Sequence, residues 1–383
     1  MTLLRFLTTV FSFGLASGTF AQGPARLEIA RASQPQLTAG SDGRVWLVYG
    51  QAGDAPTAPP AHADGQKHAG HQPPRRSGEV FVAHSGDGGV TFSPAVKVAH
   101  VPELMLGMRR GPRISAHGNR VTVTVIAHEL LAYTSIDAGK TWSAPVTVNS
   151  VATSAREGLH DLAGAPDGSL FVTWLDLRNG KMELWGAWSR DGGRTWAANE
   201  QVYKSPDISI CECCHPTALF DVQGNLAVMW RNSIEGTRDM WLTMRAAGAA
   251  QFSPARKLGQ GTWTLKACPM DGGRIIAWGD GKFGAVWQRA GEVFLTLDNA
   301  PETSLGQGKQ PVAVKVGTAE PVIVWQQGVD LVSTRGSKGE EKVKHATDAR
   351  FPSLIALPNG TGILLAYEHG PAKGATSVTV ERL

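Results

Sequence analysis

Hydrophobic positions in this chain fall in short runs separated by glycine turns, and the punctuation repeats. Seven times an apolar stretch led by Pro or His gives way to a turn with Gly, then to a run commonly ending in an aromatic residue. The seven are Pro35–Gly43–Trp46, Pro112–Gly118, His160–Gly168–Trp174, Pro216–Gly224–Trp230, Pro269–Gly281–Trp287, Pro311–Gly317–Trp325 and Pro352–Gly360–Tyr367. Phe171-Val-Thr-Trp174, Leu226-Ala-Val-Met-Trp230 and Val322-Ile-Val-Trp325 are rich in β-branched and aromatic residues and predict second strands. Val80–Ala83, Leu184–Trp188 and Met240–Met244 predict third strands. A period of roughly 40 to 60 residues built from short strands predicts an all-β propeller, one four-stranded blade per repeat. Seven blades are preferred, with six as the alternative. The last repeat, Phe351 to Leu383, holds three strands at most, so Leu27–Ala30 is expected to supply its fourth and close the ring.

Two segments stand outside the repeats. Arg5, the apolar run Phe6–Ala16 and Thr19-Phe20-Ala21 read as a secretory signal over residues 1–21, with a single domain at 22–383 and a periplasmic or secreted location. No other segment approaches the 18 or so apolar residues that a membrane span needs. Residues 51–78 are rich in Ala, Pro, Gly and His and lack strand periodicity. They predict a long insertion between the second and third strands of the first blade, carrying His62, His68 and His71. The formal charge of +4 is too small to argue for a nucleic-acid partner.

A sharper motif recurs three times: Ser85-Gly-Asp87-Gly-Gly89-Val-Thr91-Phe92, Ser135-Ile-Asp137-Ala-Gly139-Lys-Thr141-Trp142 and Ser189-Arg-Asp191-Gly-Gly193-Arg-Thr195-Trp196. The pattern S-x-D-x-G-x-T-W resembles the Asp box, and the chain resembles the sialidase-like, BNR-repeat propellers. In such a box the Asp accepts hydrogen bonds from the turn, Gly supplies positive φ, and the aromatic ring packs into the blade. The Asp residues are therefore expected to be structural. The resemblance implies an arginine clamp on a substrate carboxylate, a Tyr nucleophile paired with Glu, and an Asp acid/base. The residues here that come nearest are Arg113, Glu157, Asp161 and Tyr203, with Arg156, Arg231, Arg238 and Arg350 as further clamp members. Arg113 lies in Gly-Pro-Arg-Ile, in the second repeat rather than the first, and no Tyr stands in the late-chain context of the family motif. A working sialidase is not the expectation; an exo-α-sialidase-like hydrolase or glycan-binding propeller with disulfide-stapled loops is the alternative.

The repeat fixes which loops share a face. Loops leading into first strands and loops joining second to third strands gather on one rim. That rim collects Cys211, Cys213, Cys214 and His215 at the fourth blade and Cys268 and Met270 at the fifth, so all four cysteines converge. Thiolate, thioether and imidazole suit copper, with zinc possible for the same set. Two disulfides pinning neighbouring blades are the competing reading of the four cysteines. His160 and the histidines of the insertion are secondary metal candidates. The expectation is an exported copper-binding propeller that sequesters or delivers its ion, with a metal donor or acceptor protein as its partner.

Overall fold

The computed structural model describes residues 26–53, 76–279, 281–298, 300–339, 341–358, 360, 362–371 and 374–383. Residues 1–21, expected to be a signal, and His62, His68 and His71 lie outside the described residues. Strands form seven antiparallel sheets of four, and among the described residues there is no helix, hence none long and apolar enough to cross a membrane. The inner strands are, in ring order, Ser33–Ala39, Arg113–His117, His160–Gly164, Thr217–Phe220, Gly273–Gly279, Lys309–Val314 and Ala349–Ala356. Each packs on the inner strands of both neighbours, and Ser33–Ala39 meets Ala349–Ala356 to complete a seven-bladed propeller. The sixfold alternative falls. Arg26–Ala30 closes the ring as expected: it is the outermost strand of the seventh blade, pairing with Ser377–Arg382 so that Arg26 faces Glu381.

Aromatic side chains hold the blades together. Trp174, Trp230, Trp287, Trp325 and Tyr367 occupy the middle or end of second strands and are at most 1% exposed. Each such ring removes on the order of 200 Å² from water, about 5 kcal/mol in transfer terms. The first blade departs from the repeat as read. Trp46 stands near the start of its strand, and Tyr49 takes the equivalent place beside Phe81. Trp46 is instead covered by Gly139 of the second blade's turn, where a Cβ would come within 2.8 Å of the indole at a φ of +78°. The excursion in this blade is shorter than 51–78, because pairing continues through Gln51–Glu79 and Ala52–Gly78.

His160 faces Trp174, and Asp176 faces Glu183, so the start of each inner strand, the end of the second and the start of the third share one rim. The three S-x-D-x-G-x-T turns lie at the opposite rim, after the third strands. Ser135 Oγ donates to Asp137 Oδ1 at 2.8 Å, while Thr141 N and Oγ1 donate to the two carboxylate oxygens at 2.9 and 2.6 Å. The same bonds recur at Ser85–Asp87–Thr91 and Ser189–Asp191–Thr195. Hydrogen bonds from Thr141 hold the Asp137 carboxyl down at about 2. These carboxylates are consumed by their own turns.

Candidate metal centre

The loop Cys211–His215 leads from the outer strand of the third blade into the inner strand of the fourth. Ile210 N donates to Met182 O at 3.0 Å and Cys211 N to Arg231 O at 3.1 Å, which stitches the loop to both blades. The consequence is a knot of sulfur. Cys211 Sγ lies 3.8 Å from Cys213 Sγ and 3.6 Å from Cys214 Sγ, and all three sulfurs lie within 4.8 Å of one another. All three are buried, and Cys268 and Met270, from the loop leading into the fifth blade, pack against them. Met270 holds a left-handed backbone, φ 53°, uncommon for a residue with a side chain.

No disulfide joins the four cysteines in this structure. Bonded sulfurs stand about 2.05 Å apart. The spacing instead matches ligation. At a metal–sulfur bond of about 2.3 Å, sulfurs are about 3.8 Å apart on a tetrahedron and about 4.0 Å in a planar trigonal ring.

Two arginines flank the cluster. Arg110 is 1% exposed; its Nε donates to Glu157 O at 2.5 Å, but its buried Nη1 has no hydrogen-bond partner. Burial pulls the Arg110 pKa down, and Glu157, Cys213, Cys214 and Cys268 oppose that. Arg231, equally buried, is pinned on carbonyls of Asp271, Gln288 and Arg238. Hydrogen bonding with Cys213 and Cys214 lowers the Cys211 thiol well below its ordinary range, with Arg231 helping. The same bonds push Cys213 up, and burial pushes Cys214 up.

The other sequence candidates fall elsewhere. His215 turns away from the thiols into a central cavity of about 40 Å³, lined by all seven blades and including Gln34, Arg109, Arg113, Asp161 and Arg274. Burial and the three arginines hold its imidazole well below the ordinary value, hence neutral. His160 is wholly buried, its Nε2 3.0 Å from Thr124 Oγ1. Asp161 pairs with Arg113 Nε at 3.5 Å and Arg274 Nη1 at 3.1 Å, and accepts from Ala218 N at 3.0 Å. Glu157 stands beside Arg110 rather than in the cavity. Tyr203 lies on an outer strand, its ring 4.6 Å from Trp230 and its hydroxyl accepting from Asn232. Arg113 donates to the carbonyls of Arg109, Gly111 and Pro112. Arg109 donates to Gln310 and Pro352 through all three nitrogens. Their forks are filled by the protein's own oxygens. The cavity takes about three waters and is far below the roughly 300 Å³ at which small-molecule pockets begin. Arg350 is likewise engaged, by Glu368 and Gly370.

Arg110 and Arg274 were not singled out by the sequence, since neither carries a local motif; the structure sends Arg110 to the sulfurs and its neighbour Arg109 to the axial cavity.

No protein-family model matches the chain, and no curated protein matches it. Solved structures do. A Dyadobacter fermentans protein of unknown function aligns over 94% of this chain and 100% of its own, with a TM-score of 0.55 at 12% identity. An α-L-arabinofuranosidase from Fusarium graminearum, in complex with an iminosugar inhibitor, aligns over 71% and 92%, with a TM-score of 0.50 at 14% identity. A Trypanosoma rangeli sialidase mutant aligns over 91% of this chain and 54% of its own, at 0.49 and 13%. Identities this low speak to the fold alone.

Proposed function

We propose that this chain is an exported propeller that holds copper(I) on Cys211, Cys213 and Cys214 and serves to sequester or deliver it. The observation that carries the reading is the trio of buried, unbonded thiols at ligand spacing. Charge supports the choice of ion. Three thiolates around copper(I) carry a net charge of −2, which the buried Arg110 and Arg231 offset. Zinc reaches the same balance only by recruiting a fourth thiolate, Cys268. Thioether and thiolate sulfur also favour the softer ion. The S-x-D-x-G-x-T turns are read as Asp boxes of the sialidase-like propellers, and residues 1–21 as the export signal. In an oxidising compartment the thiols stay competent when loaded with metal or kept reduced.

The test is metal content. Protein purified anaerobically from copper-supplemented cells should carry stoichiometric copper with thiolate-to-copper(I) absorption in the ultraviolet. A variant with Cys211, Cys213 and Cys214 all changed to Ser should carry none. Wild-type protein holding no more copper than that variant ends the proposal.

A further inference from the structure

The four thiols are not equivalent, and this extends the copper reading, on which it rests. Cys211, Cys213 and Cys214 are 2%, 6% and 1% exposed, whereas Cys268 is partly exposed. Only the buried three share one ligand-sized space; Cys268 packs on them from outside, together with Met270. The two come from the next blade, so this contact crosses a blade boundary. Arg110, with its unpartnered Nη1, acts on Cys213, Cys214 and Cys268 alike, so a single buried cation spans the inner and outer sulfurs.

We propose that Cys268, supported by Met270, is the transfer ligand through which copper(I) passes between a sulfur-bearing carrier and the buried triad. A soft monovalent ion moves most easily from sulfur to sulfur, never bare. The carrier is therefore a thiol or thioether donor, either a small thiol or a protein presenting Cys or Met. In the inward step a bond from the ion to Cys268 Sγ forms as one to the carrier's sulfur breaks. The thiol proton of Cys268 leaves to solvent; a thiol carrier's sulfur takes one up as it leaves, whereas a thioether leaves neutral. A triad sulfur then replaces Cys268 in the same manner. Copper stays at +1 throughout, and no electron moves.

The experiment mixes reduced protein anaerobically with the copper(I)–glutathione complex in a stopped-flow instrument and follows thiolate-to-copper absorption. Affinity is measured separately by competition with a chromogenic copper(I) chelator. Cys268→Ser should slow uptake at least about tenfold while moving affinity less than about threefold; Met270→Leu should slow it less. Cys213→Ser should lose affinity itself. An unchanged rate in Cys268→Ser overturns the proposal, as does an affinity loss as large as that of Cys213→Ser, which makes Cys268 a resident ligand. A second measurement needs no variant. One equivalent of iodoacetamide on native, metal-free protein should label Cys268 and slow uptake equally, and label spread over the buried cysteines overturns the idea. Wild-type protein that takes up no copper at all ends the copper reading too; copper bound at a rate indifferent to Cys268 ends only this one.

Discussion

Two polar pockets sit in this ring, and they are built on opposite principles. In the central cavity nearly every charge is answered. Asp161 bridges Arg113 and Arg274, Arg109 is spent on Gln310 and Pro352, and His215 is kept neutral. In the sulfur pocket, one radial step away, the thiols meet one another and a guanidinium nitrogen goes without a partner. Buried polar groups are costly unless satisfied. The first pocket ties its charges to one another and to backbone carbonyls across blades, leaving one oxygen of Asp161 without a hydrogen bond. The second leaves a deficit that, on the proposed reading, a cation with its thiolates would remove.

The sharpest way to break this contrast is Asp161→Ala. It strands Arg113 and Arg274 against each other and should cost about 3–5 kcal/mol in urea denaturation, with copper uptake per folded molecule unchanged. A loss below about 1 kcal/mol would mean that the cavity is not what secures the ring. Next comes pH. Burial and Arg113 hold His160 well below the ordinary imidazole value, so the folded chain refuses a proton that the unfolded chain accepts. Its contribution is whole above about pH 6.5 and is lost as pH falls, by up to about 1.4 kcal/mol per unit. His160→Gln, able to keep a bond to Thr124, should flatten that slope in denaturation curves taken at several pH values. Arg110→Met should have the smallest effect on folding. Removing a half-satisfied buried cation should leave metal-free stability within about 1 kcal/mol, while copper(I) affinity falls about tenfold. A large stability loss with unchanged affinity would make Arg110 a structural residue like Arg113.

The ring was legible in the sequence because its repeat is carried by residues with few alternatives. Buried tryptophans mark second strands, and Ser, Asp, Gly and Thr at fixed offsets make one turn geometry. The closing strand at 26–30 followed from a last repeat that was one strand short. The meeting of Cys211 with Cys268 followed from the repeat too, since both lie on lead-in loops of adjacent blades. Side-chain direction within those loops did not. Cys214 and His215 are neighbours, yet one joins the sulfurs and the other points to the axis; Arg109 and Arg110 part in the same way. Arg109 at φ 63° and Met270 at φ 53° break the simple alternation that lets a strand's faces be read from its letters. Tyr203 packs its ring against Trp230 on an outer strand, a placement its letter in the sequence does not reveal.

The seam at the seventh blade gives this ring an order of assembly. Arg26 and Glu381 come from opposite ends of the polypeptide, and bringing such distant partners together is slow. Cys211 and Cys268 belong to consecutive repeats and wait for no such closure. A nascent chain can therefore assemble its sulfur cluster before the circle is complete, and an ion caught then, if the proposed reading holds, would stabilise blades four and five ahead of the rest.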